Sequence, residues 1–231
     1  MATPVLVSWS GGKDAALALA RLRSDPAWRV VGLLTSVVGP DACVQAQGIP
    51  LAIVEAQAAA LGLPLQVMRL PSMPDNACYV AALAESLAAA RAAHERALRH
   101  IAYGDLHLAD VRAWREGVLQ PLAWSGVFPL WGTAPQALAH EFIAGGHRAV
   151  LCRVDTSQLA AHYCGRAYDA HLLADLPASC DPCGERGEFH TCVHDGPLFA
   201  YALPLRQDRR LAEAPHAVRC ALSLATAGTT G

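Results

Sequence analysis

A glycine-containing segment near the amino terminus has the residue types of a phosphate-binding loop. Its five residues are Ser10, Gly11, Gly12, Lys13 and Asp14. An apolar run precedes it and an alanine-rich helical segment follows, so two glycines let the backbone turn sharply and approach a ligand between strand and helix. The first amides of the helix lack intrahelical acceptors and the helix dipole favours an anion there. We expect a polyphosphate to bind at this segment.

The composition strengthens the prediction that Lys13 binds phosphate. Of the 18 Lys and Arg residues, it is the single lysine. The loop is not a Walker A motif, because Val7 stands where that motif has its first glycine and Asp14 replaces its Ser or Thr. An ordinary glycine turn between a strand and a helix is the alternative interpretation.

A second dense cluster of polar residues spans 181–191, DPCGERGEFHT, and is followed by DGPLF at 195–199. Glu185 and Glu188 are suited to binding an amine or ammonium donor, and His190 is suited to moving a proton. A tight loop with solvated carboxylates is the other interpretation, and the residues alone do not decide between them.

Strands and helices must position these two clusters. Residues 29–36 form a β-branched apolar run, which predicts a second strand ending at Leu34, Thr35 and Ser36. Ligands of a doubly wound sheet lie beyond the carboxyl ends of its strands, so we expect adenine to rest near these three residues. Another strand, 101–105, ends in Gly104 and Asp105, where a carboxylate is suited to bind Mg²⁺ or, alternatively, to cap a turn.

The order of these segments predicts the fold class. Strands alternate with helices from residue 5 to 154, including a strand at 148–154, and this pattern is typical of an α/β, doubly wound, mostly parallel sheet. Asp75 is a predicted N-cap for a long helix over 76–99. Prolines and glycines become frequent after residue 155. We therefore expect a nucleotide-binding domain at 1–154 and a smaller α+β substrate-binding domain at 155–231.

Composition excludes several classes of protein. The formal charge of −2 gives no broad basic field, so nucleic acid is an unlikely partner. No apolar run reaches membrane-spanning length and no secretory signal is visible, so we expect a cytoplasmic protein without a membrane partner. The eight cysteines are expected to be free thiols. Cys180 and Cys183 form one CxxC, for which zinc and a disulfide are the alternatives.

Several motifs together resemble the diphthine–ammonia ligase family, a branch of the PP-loop ATP pyrophosphatases with a HUP-like fold. They are SGGKD at 10–14, YGDL at 103–106, PLWG at 129–132, DPCGERGEFHT and DGPLF. The likeness spans about residues 4–202, and the GExGEFHT block is specific to that branch. The high alanine and arginine content is typical of a bacterial member from a GC-rich genome.

The resemblance implies an activity: ATP adenylates a carboxylate, and ammonia then displaces AMP to form an amide. It implies ATP and Mg²⁺ as cofactors, and a carboxylate acceptor and an ammonia donor as partners. It places ATP at Ser10, Gly11, Gly12, Lys13 and Asp14, and the substrate at Gly184, Glu185, Gly187, Glu188 and Thr191. We expect three further residues to bind the substrate: Gly104, Asp105 and His190. The expected catalytic residues are Lys13, Asp14, Glu185 and Glu188.

One position departs from the family signature. Ala15 stands where SGGxDS has serine, which removes a hydroxyl near the phosphates. A non-catalytic nucleotide-binding protein is therefore one alternative function. A tRNA-modifying PP-loop enzyme is another, although the missing basic charge weighs against it. The identity of the acceptor is left open, and so is the question of whether the chain forms a homodimer.

Overall fold

The computed structural model describes residues 1–94, 97–213 and 215–225. Its strands are β1 (Thr3–Ser8), β2 (Trp28–Val38), β3 (Cys43–Val44), β4 (Ile49–Pro50), β5 (Leu65–Leu70), β6 (His100–Ala102), β7 (Ser125–Val127), β8 (Arg148–Asp155), β9 (Phe189–Asp195), β10 (Leu205–Glu213) and β11 (Ala217–Leu224). Its α-helices are α1 (Lys13–Ser24), α2 (Leu51–Leu61), α3 (Asn76–Ala93), α4 (Ala109–Leu119), α5 (Pro135–Ala144) and α6 (Ala170–Asp175).

The first sheet confirms the predicted α/β class. Its parallel strands lie in the order β5-β2-β1-β6-β7, and the short β3 and β4 extend it in antiparallel pairing beside β2. Helices α1 and α2 bury apolar side chains in a core on one face, whereas α3 and α4 pack into a separate core on the other. The strand order reverses between β1 and β6, which is where open α/β sheets bind their ligands.

The second sheet is antiparallel, with the order β10-β11-β8-β9. The expectation that the strand at 148–154 belongs to the parallel sheet is wrong, because β8 pairs with β9 and β11. A fully buried strand has the same apolar pattern in a parallel and in an antiparallel sheet. The pattern of β8 therefore does not show which strands it pairs with, and these follow later in the sequence. The second sheet therefore begins before residue 155. A substrate-binding role for 155–231 stays a prediction.

The two sheets share one hydrophobic core. Val5 and Leu17 from the first sheet and its helix belong to the same buried cluster as Leu151 and Phe189 from the second sheet. In addition, the amide of Val193 in β9 donates to the carbonyl of Gly11 at 2.9 Å. The carboxyl-terminal sheet is thus packed directly against the glycine loop that follows β1.

Helix α3 begins as predicted and ends earlier. The Asp75 carboxylate accepts a hydrogen bond from the Cys78 amide at 2.7 Å, which confirms its N-cap role. The helix stops at Ala93, before the predicted end at 99, and residues 95 and 96 of that prediction lie outside the described residues. Within the described ranges, no helix is both long and apolar enough to cross a membrane.

Candidate active site

The glycine loop between β1 and α1 is shaped by close backbone contacts. Gly11 has a φ of 79°, a left-handed conformation that favours glycine. The Gly12 amide donates to the Ser10 hydroxyl oxygen at 3.3 Å. Gly104, at the end of β6, lies so close to α1 that an added Cβ would be 2.8 Å from the carbonyl carbon of Asp14. The loop therefore lies at the switch point between β1 and β6.

Lys13 connects the glycine loop to the second polar cluster. Only 1% of the residue is exposed. Its ammonium group lies 2.7 Å from one oxygen of Asp14 and 2.8 Å from the other, and it also donates to the carbonyl oxygen of Cys183. Burial by itself would lower the pKa of Lys13, but the adjacent Asp14 carboxylate raises it above its usual value. The lysine therefore carries a positive charge at neutral pH.

The loop 181–188 is held in shape by Glu188. One carboxylate oxygen accepts from the Asp181 amide at 2.8 Å and the other accepts from the Arg186 amide at 2.9 Å. Glu188 is 2% exposed, so this carboxylate holds the loop from inside. Gly184 has a φ of 72°, and an added Cβ there would lie 2.6 Å from the Phe189 carbonyl oxygen.

Thr191 and Gln57 fix this second cluster against the glycine loop. The Thr191 hydroxyl accepts from the Lys13 amide at 3.0 Å. The fully buried Gln57 accepts from the Trp9 indole at 2.9 Å and donates to the carbonyls of Gly11 and Val193 at 3.0 and 2.7 Å. Three segments distant in sequence are thus tied together around the start of α1.

Two adjoining cavities open beside these loops. The larger, about 510 Å³, is lined by Ser10, Ser36, Tyr79, Arg153 and the segment 44–47, among others. The smaller, about 220 Å³, is lined by residues that include Asp14, Ala15, Gly104, Asp105 and Glu185. Their shared lining residues are Ser8, Ser10, Gln47, Arg115 and His190. Together they lie in the volume range of small-molecule sites, roughly 300–1,000 Å³.

The smaller cavity is strongly acidic. Burial raises the pKa of Glu185 to about 7, and the nearby carboxylates of Asp14, Asp181 and Asp105 add to the effect while Lys13 opposes it. Burial lowers the pKa of His190 to about 4, with contributions from the positive charges of Arg153 and Lys13. At neutral pH, Glu185 is therefore poised between its two protonation states and His190 is uncharged.

Asp105 is engaged by an arginine. Arg115 donates to its two carboxylate oxygens at 2.6 and 3.2 Å, and the guanidinium also lies over the Tyr103 ring at 4.1 Å. Among residues 1–94, 97–213 and 215–225, no three His, Cys, Asp or Glu side chains are grouped to hold a metal. A Mg²⁺ site at Asp105 stays a prediction. Mg²⁺ usually takes one or two carboxylates with substrate phosphates, and Asp14 and Asp105 line the same cavity with their oxygens bound by Lys13 and Arg115.

Two protein-family models match the chain. The diphthamide synthase N-terminal domain matches residues 3–123, and the diphthamide synthase C-terminal domain matches residues 134–218. The chain belongs to the diphthamide synthase family. This confirms the resemblance to diphthine–ammonia ligases. No curated protein sequence matches the chain at a significant level. The protein is therefore a PP-loop-type enzyme related to diphthine–ammonia ligase, in an ATP-utilising family.

Most residues predicted for the site of this diphthamide synthase family member do lie near it, in two groups. The cavity walls include Ser10, Asp14, Ser36, Gly104, Asp105, Glu185 and His190. The loops behind those walls are built by Gly11, Gly12, Lys13, Gly184, Glu188 and Thr191. Leu34 and Thr35 are buried in the sheet, and the Leu34 carbonyl is already bound by the Trp9 amide at 2.8 Å. Of the three predicted adenine neighbours, Ser36 lines the larger of the two cavities.

Several residues that line the cavities were not predicted from the sequence. Tyr79 and Arg115 reach the larger cavity from α3 and α4, and neither residue was a predicted site residue. Gln47 and Arg153 line it from a loop and from β8. Gln57 carried one visible signal, because its neighbours three and four positions away along α2 are all apolar and an amide on that side of the helix must find buried partners.

Proposed function

We propose that this chain is an ATP-dependent, AMP-forming amide ligase that adenylates a carboxylate and transfers it to ammonia. The observation that carries the proposal is the position of Lys13. Its side chain links the glycine loop to the second cluster, and the connected cavities open beside both. A nucleotide at the loop and an acid at the second cluster would therefore meet in one cleft.

In the first step, an oxygen of the acceptor carboxylate attacks the α phosphorus of ATP. The bond between the α phosphorus and the bridging oxygen breaks, and pyrophosphate leaves with its electrons. Ser10 lines both cavities and the charged Lys13 lies behind their wall, and positive charge near a water-poor site stabilises the departing group. Mg²⁺ held by the phosphates, with Asp14 or the predicted Asp105 as its protein ligand, would supply further charge neutralisation.

In the second step, ammonia attacks the acyl carbon of the mixed anhydride and AMP leaves. The nitrogen loses one proton, which Glu185 is suited to accept because its pKa is about 7. His190 lines both cavities and is uncharged at neutral pH, and its pKa of about 4 makes it a hydrogen-bonding partner rather than the group that keeps the proton. Glu188 keeps the loop in shape, and we assign it a positioning role rather than a chemical one.

The direct test is product formation with ATP, MgCl₂, ammonium chloride and a panel of carboxylic acids. We expect AMP, pyrophosphate and an amide in equal amounts, with amide formation dependent on ammonium. Glu185→Gln should slow amide formation by about 100-fold or more, the lower end of the range for losing a proton-transfer group. Glu55→Gln is the matched control, since Glu55 is exposed on α2. ATP binding with no pyrophosphate released for any acid would contradict the proposal.

Ala15 favours a second candidate function, a non-catalytic nucleotide-binding protein. Its methyl group lines the smaller cavity at the position where the related signature carries a hydroxyl. This candidate predicts ATP binding without turnover under every substrate combination. Equilibrium binding measured alongside AMP formation separates the two functions.

A further inference from the structure

A third cavity lies on the other side of His190. It measures about 300 Å³, and its walls include Arg153, Asp155, Gly187, His190, His216 and Ala217. Arg153 and His190 are shared with the 510 Å³ cavity, and His190 is also shared with the 220 Å³ cavity. His190 is thus the side chain at which all three cavities meet.

The guanidinium of Arg153 is fixed between this third cavity and the larger one. Its Nε lies 3.1 Å from a carboxylate oxygen of Glu213, and its Nη1 donates to the carbonyl of Ala46 at 3.1 Å. Within the part of the chain that the structure describes, its hydrogen bonds and ion pair use Nε and Nη1. The N–H groups of Nη2 therefore remain for a ligand.

The acidic groups near this cavity already have partners. One oxygen of Asp155 accepts from the Ser157 amide at 2.9 Å and from its hydroxyl at 2.6 Å, and the other accepts from Gln158 at 2.9 Å. Glu213 also accepts from Arg219 at 2.6 Å. Burial is the main cause of the lowered pKa of His190, and the positive charges of Arg153 and Lys13 add to it.

We propose that the cavity formed by Arg153, His190, His216 and Ala217 is the acceptor subsite, in which a carboxylic acid binds with its carboxylate directed at Nη2 of Arg153. The inference rests on the proposed ligase function, because this subsite would hold the acid that the nucleotide activates. A carboxylate held beside Arg153 would lie at the wall shared with the nucleotide cavity. Arginine is well suited to this task, since its planar fork matches a carboxylate.

The dimensions of the cavity restrict the acceptor. Its volume is at the lower end of the range for small-molecule sites. His216 is exposed at its rim, and no atom lies within 4 Å of an added Cβ at Gly187, so the cavity is open to solvent. A slender acid fits, and such an acid is either a free small molecule or the end of one protein side chain.

The experiment measures binding of two defined probes to the full chain by calorimetry, with and without a non-hydrolysable α,β-methylene analogue of ATP. Glutarate represents a free acid. A Gly-Glu-Gly peptide blocked at both ends represents a side-chain carboxylate. Preference for one probe identifies the source of the acceptor.

Two variants address the subsite without touching the proposed catalytic groups. Ala217→Leu fills the cavity, and His216→Glu places a negative charge at its rim. Their matched controls are Ala212→Leu on β10 and His171→Glu on α6, two exposed positions. We expect both subsite variants to bind the preferred probe at least tenfold more weakly, by steric exclusion and like-charge repulsion, and the controls to bind it normally. Binding of the ATP analogue should stay within about twofold in all four, since an uncoupled site keeps its own affinity.

Unchanged probe binding in both subsite variants would overturn the inference, and so would the absence of binding of either probe to the wild-type chain. Thermal unfolding of each variant identifies a folding defect, and His216→Glu alone remains a sufficient test if Ala217→Leu does not fold. If the ATP analogue fails to bind while a probe still binds at this cavity, the ligase function fails separately from the subsite.

Discussion

The ammonium group of Lys13 is hydrogen-bonded to the carbonyl oxygen of Cys183, across 170 positions of sequence. The Lys13 amide makes a second link, to the hydroxyl of Thr191. The glycine loop is therefore held by residues of the carboxyl-terminal part of the chain. Because the nucleotide loop and the second cluster share these bonds, we expect them to become ordered together.

Replacing Lys13 with methionine should destabilise the protein. The change leaves the carboxylate of Asp14 partly buried without its cation, and removing one partner of a buried pair costs about 3 kcal/mol. We expect the free energy of unfolding in urea to fall by about that amount. In the double variant Lys13→Met, Asp14→Asn, part of the loss should return, because no charge is left unpaired. A change in the single variant below about 0.5 kcal/mol, the usual range of surface substitutions, would contradict the prediction.

The raised pKa of Glu185 predicts how stability depends on pH. The folded value of about 7 exceeds the ordinary 4.5, so the folded state binds the proton more tightly and Glu185 favours unfolding increasingly as the pH rises from 4.5 to 7. The difference in unfolding free energy, Glu185→Gln minus wild type, should therefore increase across this window. After allowance for partial exposure, we expect an increase of about 2 kcal/mol. Urea unfolding at several pH values measures it.

The comparison for that series is Glu55→Gln, which removes an exposed carboxylate from α2. Its difference from wild type should not vary over the same window. If the difference in unfolding free energy from wild type changed equally with pH in both variants, burial of Glu185 would not be the cause of the change.

Local sequence signals were sufficient to predict the parallel sheet and the glycine loop. The apolar run of β1, two glycines and an alanine-rich helix are consecutive, and a turn between strand and helix follows from neighbouring residues. The GExGEFHT block was recognised by its resemblance to the diphthine–ammonia ligase family. The fold class and the family were therefore predictable.

Contacts between distant segments were not predictable in this way. Arg115 lies on a helix for which the sequence predicted no role at the site, yet it pairs with Asp105 at the cavity. Strand β8 has an apolar pattern that fits either sheet, and its pairing with β9 and β11 shows that it belongs to the antiparallel sheet. Glu188 looked like a reactive carboxylate because sequence shows the group and not the two amides that bind it.

Gly104→Ala should disturb the junction between β6 and α1. An added Cβ would lie 2.8 Å from the carbonyl carbon of Asp14 and 3.0 Å from the amide nitrogen of Ala15, and backbone atoms cannot move aside cheaply. Overpacking of this kind costs about 1–3 kcal/mol, and we expect the free energy of unfolding to fall by that amount. ATP affinity, measured by calorimetry, should fall as well, because Gly104 lines the smaller cavity.

Gly117→Ala provides the contrast for Gly104→Ala. Gly117 is exposed within α4 and has no atom within 4 Å of an added Cβ. Alanine is favoured over glycine in a helix, so this variant should be more stable by about 0.5–1 kcal/mol. Equal effects of the two substitutions on stability would show that crowding at Gly104 is not responsible.

Ala15→Ser tests whether the missing hydroxyl limits turnover. Ala15 is 4% exposed and lines the smaller cavity beside Asp14, so a serine there would present its hydroxyl to a bound polyphosphate. One added hydrogen bond is worth about 0.5–1.5 kcal/mol, which corresponds to roughly a two- to twelvefold faster release of pyrophosphate if it forms in the transition state. Ala20→Ser on the same helix, away from both cavities, should leave the rate unchanged. If Ala15→Ser releases pyrophosphate and the wild-type chain binds ATP without releasing any, the native protein is a nucleotide-binding protein that lost catalysis at this residue.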